Sequence, residues 1–407
     1  MKKIILSSLI VFISSASLLA QDAVNQDTKY RRSSLYTLMI DEPTAPYAEF
    51  IKSSFEKGPI PEKFNDHNLG FRTIPSTESK DESENITNFL HQNNIAKLAV
   101  AKWFNRSEKG GFNMDLIKTR GSYDASVLDI TKAKASKRGI EMLADAGEEL
   151  IKNTFILVND FKYVSKEEVA KKASGFLKSI GSIASAAGVS GADNISTTTS
   201  LVAEGVTVVG KGYVVKTTAH LYRLVWNDEV ASIFYNEYWT EDGSLSPEKV
   251  KAFEDSNVFK MEYIGSDVSW ADVQSTIYTK KTEEELIEKS TIKAVDAVIV
   301  KLQKNHDEFK TKTPLFTGEP ITAKIGLKEG LTEKSVFDVL EQRLKEDGKT
   351  EYVVVGTVKV DKKFPIWDNR YGAEEENPNQ ESDRTYFKKS SGKEFFPGML
   401  IVQKKGK

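Results

Sequence analysis

The spacing of glycine and lysine in one segment approaches that of a phosphate-binding loop. Gly205 and Gly210-Lys211 match the motif G-x-x-x-x-G-K-[ST], but Gly212 stands where a Ser or Thr would bind magnesium. The intervening Val-Thr-Val-Val favours a strand over a loop that cradles phosphate. We therefore expect a bent strand here and no nucleotide cofactor.

Histidine is scarce, and no H-E-x-x-H motif is present, so the zinc-protease signature is missing. Alternation places His220 with Lys216 and Thr218 on the polar face of a predicted strand. A carboxylate beside His220 would make it a general base, but a half-buried strand histidine is the expected outcome. The four histidines are His67, His91, His220 and His306.

Two segments, Ser54–Lys57 and Ser390–Lys393, match S-x-x-K, the spacing that sets a lysine one turn from a nucleophilic serine. Such matches arise by chance in a chain rich in Ser and Lys, and neither the accompanying S-D-N and K-T-G elements nor a G-x-S-x-G elbow is present. We expect no serine nucleophile.

Carboxylates are concentrated in the loop 367–384, where they could supply oxygen ligands to calcium. Their order does not follow an EF-hand, and a solvated charged loop is the expected outcome. The sequence leaves open whether two carboxylates are paired for glycoside hydrolysis, because such a pair is defined by the distance between the two groups in the folded protein. The five tryptophans are expected in the core. The sequence therefore assigns no catalytic, cofactor-binding or metal-ligating residue.

Composition narrows the function further. The chain has 407 residues, with 57 basic and 59 acidic side chains and no long basic stripe, so nucleic acid is not an expected partner. It contains no cysteine, which excludes disulfides, a thiolate nucleophile, cysteine-bound metal and a lipid anchor on cysteine.

The N-terminus has the pattern of a secretory signal. Lys2 and Lys3 precede the apolar run Ile4–Leu19, which ends at Ala20 before a polar residue. We predict a signal peptide over 1–20 and a mature protein that is periplasmic or associated with the outer membrane. No later run reaches the roughly 18 apolar residues of a second membrane span.

Local patterns predict an α+β fold: an α/β body of helices packed on a mixed sheet, followed by a small C-terminal β-barrel-like module. The predicted regions are a mostly helical 21–136, an α/β domain 137–311 and a β-rich module 312–407. Helices are predicted over 47–55, 85–104, 137–152, 165–187, a short segment from 247, and 282–309. Strands are predicted over 36–40, 155–158, 212–226, 259–264, 321–326, 336–344, 351–360 and 399–402. Residues 230–239 fit either a helix or a strand.

Two glycine-containing segments have a predicted structural role. Asp347-Gly348 is typical of a hairpin turn, and Gly356 inside a strand indicates a bulge or a sharp bend. The small-residue segment 175–212 fits an oligomerisation surface, or with 213–224 a membrane-inserting hairpin. Membrane contact through 175–224 is not expected, because a flexible loop followed by a soluble strand explains the same pattern.

The C-terminal module carries segments that resemble the last domain of uncharacterised exported proteins of Bacteroidetes. These segments are Ile325–Leu331, Phe337–Glu341, Ile366–Tyr371 and Phe396–Leu400. The order of elements before it is similar to that in the α/β domain of curli-secretion-channel proteins. The resemblance implies an envelope location and no activity or site residue.

We therefore expect a non-enzymatic exported envelope protein that acts in protein binding or assembly, with other envelope proteins or itself as partner. The first alternative is a hydrolase of envelope glycans or peptides, which requires Asp and Glu to converge near an exposed Trp or Tyr with a raised carboxyl pKa. The second is an oligomeric outer-membrane pore component.

Overall fold

The computed structural model describes residues 33–61, 63–76, 82–124, 150–165, 213–272, 282–310, 312–344, 350–376, 378, 380 and 382–404. The predictions for the signal peptide 1–20, the segment 175–212 and the turn at Asp347-Gly348 lie outside these residues, as does most of the predicted helix 137–152. The predicted helix 165–187 also lies outside them except for Ser165, which is the last residue of a strand.

Six of the described strands form the first sheet. They are β1 (Ser34–Asp41), β2 (Asn65–Asp66), β3 (Thr73–Pro75), β4 (Thr154–Ser165), β5 (Tyr213–Leu224) and β6 (Met261–Asp272). The order is β2-β1-β4-β5-β6, with β3 also paired to β1. β1 is parallel to β2, β3 and β4, whereas β5 is antiparallel to both β4 and β6. The regions 21–136 and 137–311 therefore contribute strands to one sheet.

Helices cover both faces of this sheet in the described part of the chain. They are α1 (Ala48–Lys57), α2 (Glu82–Gln92), α3 (Ile95–Trp103), α4 (Asp115–Asp124), α5 (Asp228–Ile233), α6 (Pro247–Glu254) and α7 (Glu283–Asn305). α7 begins at a capping box, because Thr282 and Glu285 satisfy each other's backbone N–H groups. The predicted helix 85–104 is two helices, since Asn94 adopts a left-handed conformation between them.

The two faces of β5 carry different side chains. Val215, Ala219 and Leu221 pack against α7 and α1, as the alternation in the sequence predicts. The opposite face, here called face A, is packed by α2 against the β1–β4–β5 part of the sheet through residues such as Ile86 and Leu90. This leaves the outer strand β6 with less cover on face A, where Tyr263 and Val268 are exposed.

An aromatic cluster packs beside the sheet. Phe104 and Phe234 stack with ring centroids 4.2 Å apart, and the buried Phe112 and Phe253 contact Phe234 edge-on. The segment 230–239, for which the sequence fits either a helix or a strand, is helical as far as Tyr238, because the Asn227 side chain caps α5 and a π-helical turn continues it.

The C-terminal strands form a curled antiparallel sheet. They are β7 (Thr313–Pro314), β8 (Thr317–Gly318), β9 (Ile321–Ala323), β10 (Val336–Leu344), β11 (Thr350–Val360), β12 (Thr385–Gly392) and β13 (Leu400–Gln403), in the order β7-β13-β10-β11-β12-β9-β8. A short helix, α8 (Ala373–Glu376), lies between β11 and β12. The predicted α+β architecture, with a body on a mixed sheet and a C-terminal barrel-like module, is confirmed.

The curled sheet returns on itself at one segment. Leu315 donates its N–H to Met399 O, and the next residue, Phe316, donates to Thr322 O, both at 2.7 Å. The segment 313–318 therefore contains both terminal strands of the sheet: β7, which pairs with β13, and β8, which pairs with β9. Gly356 lies opposite Val339 at a register shift, and a Cβ there would lie 2.5 Å from Ser391 O, so the predicted bulge is confirmed.

The module packs against the body through charged contacts. Lys63 forms an ion pair with Glu329 at 2.8 Å, and Lys328 contacts Asp296 of α7 at 3.4 Å. A cleft of about 550 Å³ lies beside this junction. It is lined by Lys310 and residues of both parts of the protein.

Candidate functional site: the β6 edge and an adjacent polar cluster

Strand β6 is the outer strand of the first sheet. On one side it pairs with β5 along its whole length, from Met261 opposite Leu224 to Asp272 opposite Val214. On its other side, no described residue forms a backbone hydrogen bond with it. A strand of 12 residues whose outer edge has no backbone partner within the described part of the chain can accept a further strand.

A bulge divides β6 into two parts. The register shifts so that Tyr263 lies opposite Tyr222 while Gly265 lies opposite Leu221, which leaves Ile264 as the extra residue. Gly265 packs against the His306 ring, which a Cβ at this position would overlap. After the bulge the strand continues in regular register to Asp272.

The side chains of β6 on face A include exposed apolar groups. Tyr263 is 41% and Val268 36% exposed, although both belong to a strand of the central sheet. Ser266, opposite His220, is also exposed. Apolar side chains beside an unpaired edge are typical of surfaces that bind another polypeptide.

The opposite face of β6 is held by α7 and the turn that follows it. Ser269 Oγ donates to Ala294 O at 3.5 Å, and Asn305 Nδ2 donates to Asp267 Oδ1 at 2.7 Å. Lys301 Nζ donates to Val268 O at 2.6 Å. These contacts fix the outer strand on a rigid helix, so the edge is a preformed surface.

A cluster of titratable groups, the Asp160 cluster, lies on face A. It consists of Glu42, Glu82, Asp160, Lys162 and His220. Nε2 of His220 lies 3.5 Å from Glu82 Oε2, and Lys162 Nζ lies 3.2 Å from Asp160 Oδ2. α2 begins at Glu82, so the helix that covers face A also brings this carboxylate to β5.

The pKa values of the carboxyl groups in the Asp160 cluster are shifted in opposite directions. Burial raises the pKa of Asp160, against the opposing effect of Lys162. Burial and the neighbouring Asp160 carboxylate raise the pKa of Glu42. The interaction with His220, offset in part by burial, lowers the pKa of Glu82. Groups with opposite shifts in one place can donate and accept protons.

Three atoms of the Asp160 cluster have no hydrogen-bond partner among the described residues. They are Asp160 Oδ1, His220 Nδ1 and His220 Nε2, all inaccessible to solvent; Nε2 has only its 3.5 Å approach to the Glu82 carboxylate. A general base normally has its second nitrogen oriented by a hydrogen bond, and His220 has no such bond in the described part of the protein. In that part, no three acidic or histidine side chains are placed to hold a metal ion.

The other residues singled out from the sequence occupy structural positions. Ser54 is buried and its hydroxyl donates to Phe50 O at 2.6 Å within α1, so it is not paired with Lys57 as a nucleophile. Ser390 and Lys393 are exposed. His67 is buried, and Trp103 is fully buried against it.

In the loop 367–384, the carboxylates of Asp368 and Asp383 pair with Arg370 and Arg384. Both pairings lower the pKa of the aspartate concerned. In the cleft, likewise, Lys310 pairs with Asp307 and Lys404 with Asp338. These four aspartates are therefore paired with basic side chains within the chain.

The sequence identified His220 but not its partners. Glu82 and Asp160 lie far from it along the chain and belong to no spacing motif, so only the pairing of β4 with β5 and the position of α2 bring them together. The alternation of polar and apolar residues in β5 is the one sequence pattern that points to His220. No sequence pattern indicates that apolar side chains of β6 are exposed, because the pattern does not specify the order of the strands in the sheet.

None of the described helices combines the length and the apolar character that crossing a membrane requires. No protein-family model matches the chain, and no curated protein matches it either.

Proposed function

We propose that the chain is an exported, non-enzymatic protein of the cell envelope that binds another polypeptide by strand addition at β6. The observation that carries the proposal is the β6 edge: a long outer strand without a backbone partner among the described residues, flanked by exposed Tyr263 and Val268. Main-chain hydrogen bonds would supply affinity, and the two side chains would supply contact area.

The export part of the proposal is supported by the N-terminal sequence. A basic start, the apolar run Ile4–Leu19 and Ala20 before Gln21 are typical of a cleaved signal. The resemblance of the C-terminal module to exported proteins of Bacteroidetes agrees with a periplasmic or outer-membrane-associated location. The mass of the protein purified from envelopes should correspond to a chain that begins at Gln21; a full-length mass would contradict export by this signal.

Binding is tested by photo-crosslinking in producing cells. A benzophenone amino acid at position 268 should yield covalent adducts with a polypeptide, because a strand added to β6 would lie against this side chain. Val354 is the matched control, since it is an even more exposed apolar strand residue (56%) on the C-terminal module. Adducts at neither position, from a protein that is folded and exported, would refute the proposal.

A second candidate function is hydrolysis of envelope glycans or peptides. The Asp160 cluster favours it, because an Asp with a raised pKa and a Glu with a lowered one converge near the exposed Tyr263. Asp160→Asn and Glu82→Gln should then each abolish turnover of cell-wall fragments. Turnover by neither wild type nor variants would reject this candidate and leave the binding proposal intact.

A further inference from the structure

We propose that the C-terminal module binds an acidic polysaccharide on the side of β11 and β12 that points away from its core. This surface, here called the Lys359 face, consists of Thr357, Lys359, Phe364, Tyr386, Lys388 and Ser391. It lies on a different part of the protein from the β6 edge. The inference therefore goes beyond the proposed function and does not depend on it.

The alternation of side chains in β11 and β12 determines which of them form the Lys359 face. Val358 and Val360 of β11 and Phe387 of β12 are buried in the core of the module. Their neighbours along each strand therefore point outward. Lys359 and Lys388 are both exposed.

The two lysines lie directly opposite each other in the antiparallel pair of β11 and β12. Like charges in this position repel each other and destabilise a strand pair. Neither ammonium group forms an ion pair with a described residue. Asp361, two residues after Lys359, accepts instead the backbone N–H of Lys363 at 3.1 Å. A bound anion would relieve the repulsion and accept a charge-assisted hydrogen bond from each lysine.

A stacked aromatic pair lies on one side of the lysines. Tyr386 precedes Lys388 by two residues on the same side of β12, and Phe364 stacks on Tyr386 with ring centroids 4.2 Å apart and 22° between the ring planes. Phe364 is 45% exposed. A ring held by stacking but still exposed offers a flat apolar surface, against which the C–H groups of a sugar ring can pack.

A pair of hydroxyl groups lies on the other side of the lysines. Thr357 and Ser391 are opposite each other, and their hydroxyl oxygens are 2.8 Å apart. Residues two apart along β11 are separated by about 7 Å, so the aromatic, cationic and hydroxyl groups follow one another at this interval. An acidic polysaccharide presents the matching groups along its length, namely C–H faces, carboxylates and hydroxyls.

Other anionic partners match the Lys359 face less well. β11 pairs with β10 and β12, and β12 pairs with β11 and β9, so neither strand offers an edge to a peptide. A nucleic acid carries a charge on every nucleotide and requires a broad basic surface, whereas this chain has 57 basic and 59 acidic residues. Insertion into a membrane requires apolar side chains that enter the lipid, whereas Phe364 is stacked on Tyr386.

Binding is tested by fluorescence anisotropy with labelled oligogalacturonate, which has one carboxylate per sugar, and with neutral dextran as the control polymer. The purified full chain should bind oligogalacturonate and not dextran. The double substitution Lys359→Ala and Lys388→Ala should weaken binding about tenfold or more, because two charge-assisted contacts are lost. No binding of oligogalacturonate by the wild type would overturn the inference.

A second double variant controls for the loss of positive charge. Lys57→Ala and Lys251→Ala remove two exposed lysines from α1 and α6 of the body. This variant has the same net charge as the first and should bind oligogalacturonate as the wild type does. Equal losses of affinity in the two double variants would show that net charge and not the Lys359 face attracts the polymer, which refutes the site.

One single variant separates loss of the site from loss of folding. Lys388→Glu replaces the repulsion across the strand pair with an attraction to Lys359. It should therefore raise the melting temperature of the protein and abolish binding of oligogalacturonate. Unchanged binding would rule out the Lys359 face as the site, and a lower melting temperature would contradict the repulsion from which the inference is argued.

Two further probes test whether the partner is a polysaccharide. Phe364→Ala should weaken binding of oligogalacturonate about threefold or more and leave binding of polyglutamate unchanged, because only the sugar packs on the ring. If polyglutamate binds as tightly as oligogalacturonate and Phe364→Ala affects neither, the lysines recognise charge alone and the assignment to a sugar is wrong. Tighter binding of single-stranded oligodeoxythymidylate would overturn it in favour of nucleic acid.

Discussion

The imidazole of His67 accepts a hydrogen bond from the guanidinium of Arg120. Nδ1 of His67 lies 3.0 Å from Nη1 of Arg120, and because arginine has no acceptor, this nitrogen must be unprotonated. Nε2 then carries the hydrogen and donates to Ala99 O at 2.9 Å. Burial, together with the Arg120 charge, lowers the pKa of His67 to about 3. The interior therefore holds a neutral histidine of fixed tautomer.

This histidine makes the fold sensitive to acid. The unfolded chain binds a proton at His67 below a pH of about 6.5, whereas the folded protein does so only near 3, so stability is lost as the pH falls below 6.5. Between pH 7 and 5 the loss from this group is about 2 kcal/mol. In urea unfolding, His67→Gln should remove this part of the pH dependence of the free energy of unfolding. The part that comes from the other titratable groups should be the same in the variant and the wild type. Equal pH dependence of both proteins would contradict the assignment.

Gly356 should tolerate no side chain. A methyl group there would lie 2.5 Å from Ser391 O and 2.6 Å from the Phe395 ring, so Gly356→Ala should destabilise the C-terminal module by about 1–3 kcal/mol. Gly243→Ala is the control, since a Cβ at that glycine would have no neighbour within 4 Å, and its effect should stay within about 0.5 kcal/mol. Thermal unfolding of the two variants gives the comparison. If Gly356→Ala and Gly243→Ala were equally stable, the strands around the bulge would accommodate the methyl group without loss of free energy, which would contradict the prediction.

Glu329 should be the charge that fixes the module to the body. Its carboxylate accepts from Lys63, Gly326 N and Asn369, and although burial raises its pKa, these partners lower the pKa overall. Glu329→Ala should cost about 3–5 kcal/mol, as for other buried pairs, and should speed proteolysis at the junction. Glu333→Ala removes an exposed glutamate that pairs with Lys362, so it should cost less than about 1 kcal/mol. Similar losses in both variants would argue against the buried role of Glu329.

Asp160 should be a source of instability at neutral pH. Because its folded-state pKa is raised, its charged form opposes folding, and the stability of this part of the protein should increase as the pH falls through that pKa. Asp160→Asn should therefore be at least as stable as the wild type at pH 7, with a difference that shrinks in acid. Guanidine unfolding at pH 7 and 4.5 measures this. A variant less stable than the wild type at pH 7 would mean that the Lys162 contact outweighs burial.

The sequence predicted local elements better than the way they assemble. Strand β10 occupies Val336–Leu344 as predicted, and α7 begins at the predicted cap Thr282, because both depend on neighbours along the chain. β6 was predicted to end at Ile264. It continues to Asp272, because Gly265, Ser266 and Asp267 interrupt the strand pattern at the bulge while β5 still supplies partners.

The candidate site could not be predicted for the same reason. His220 was placed correctly on the polar face of its strand, but the carboxylates near it come from α2 and β4. Nothing in the local pattern around Val268 indicates an outer strand, since the order of the strands is decided by contacts distant along the chain.

The way in which the segment 313–318 joins both ends of the curled sheet has an evolutionary consequence. Thr313 and Ile401 are paired, so the polypeptide enters and leaves the C-terminal module on adjacent strands. A module whose first and last strands are adjacent can be inserted into another chain, duplicated or replaced during evolution, because both of its ends can be joined to that chain at a single site.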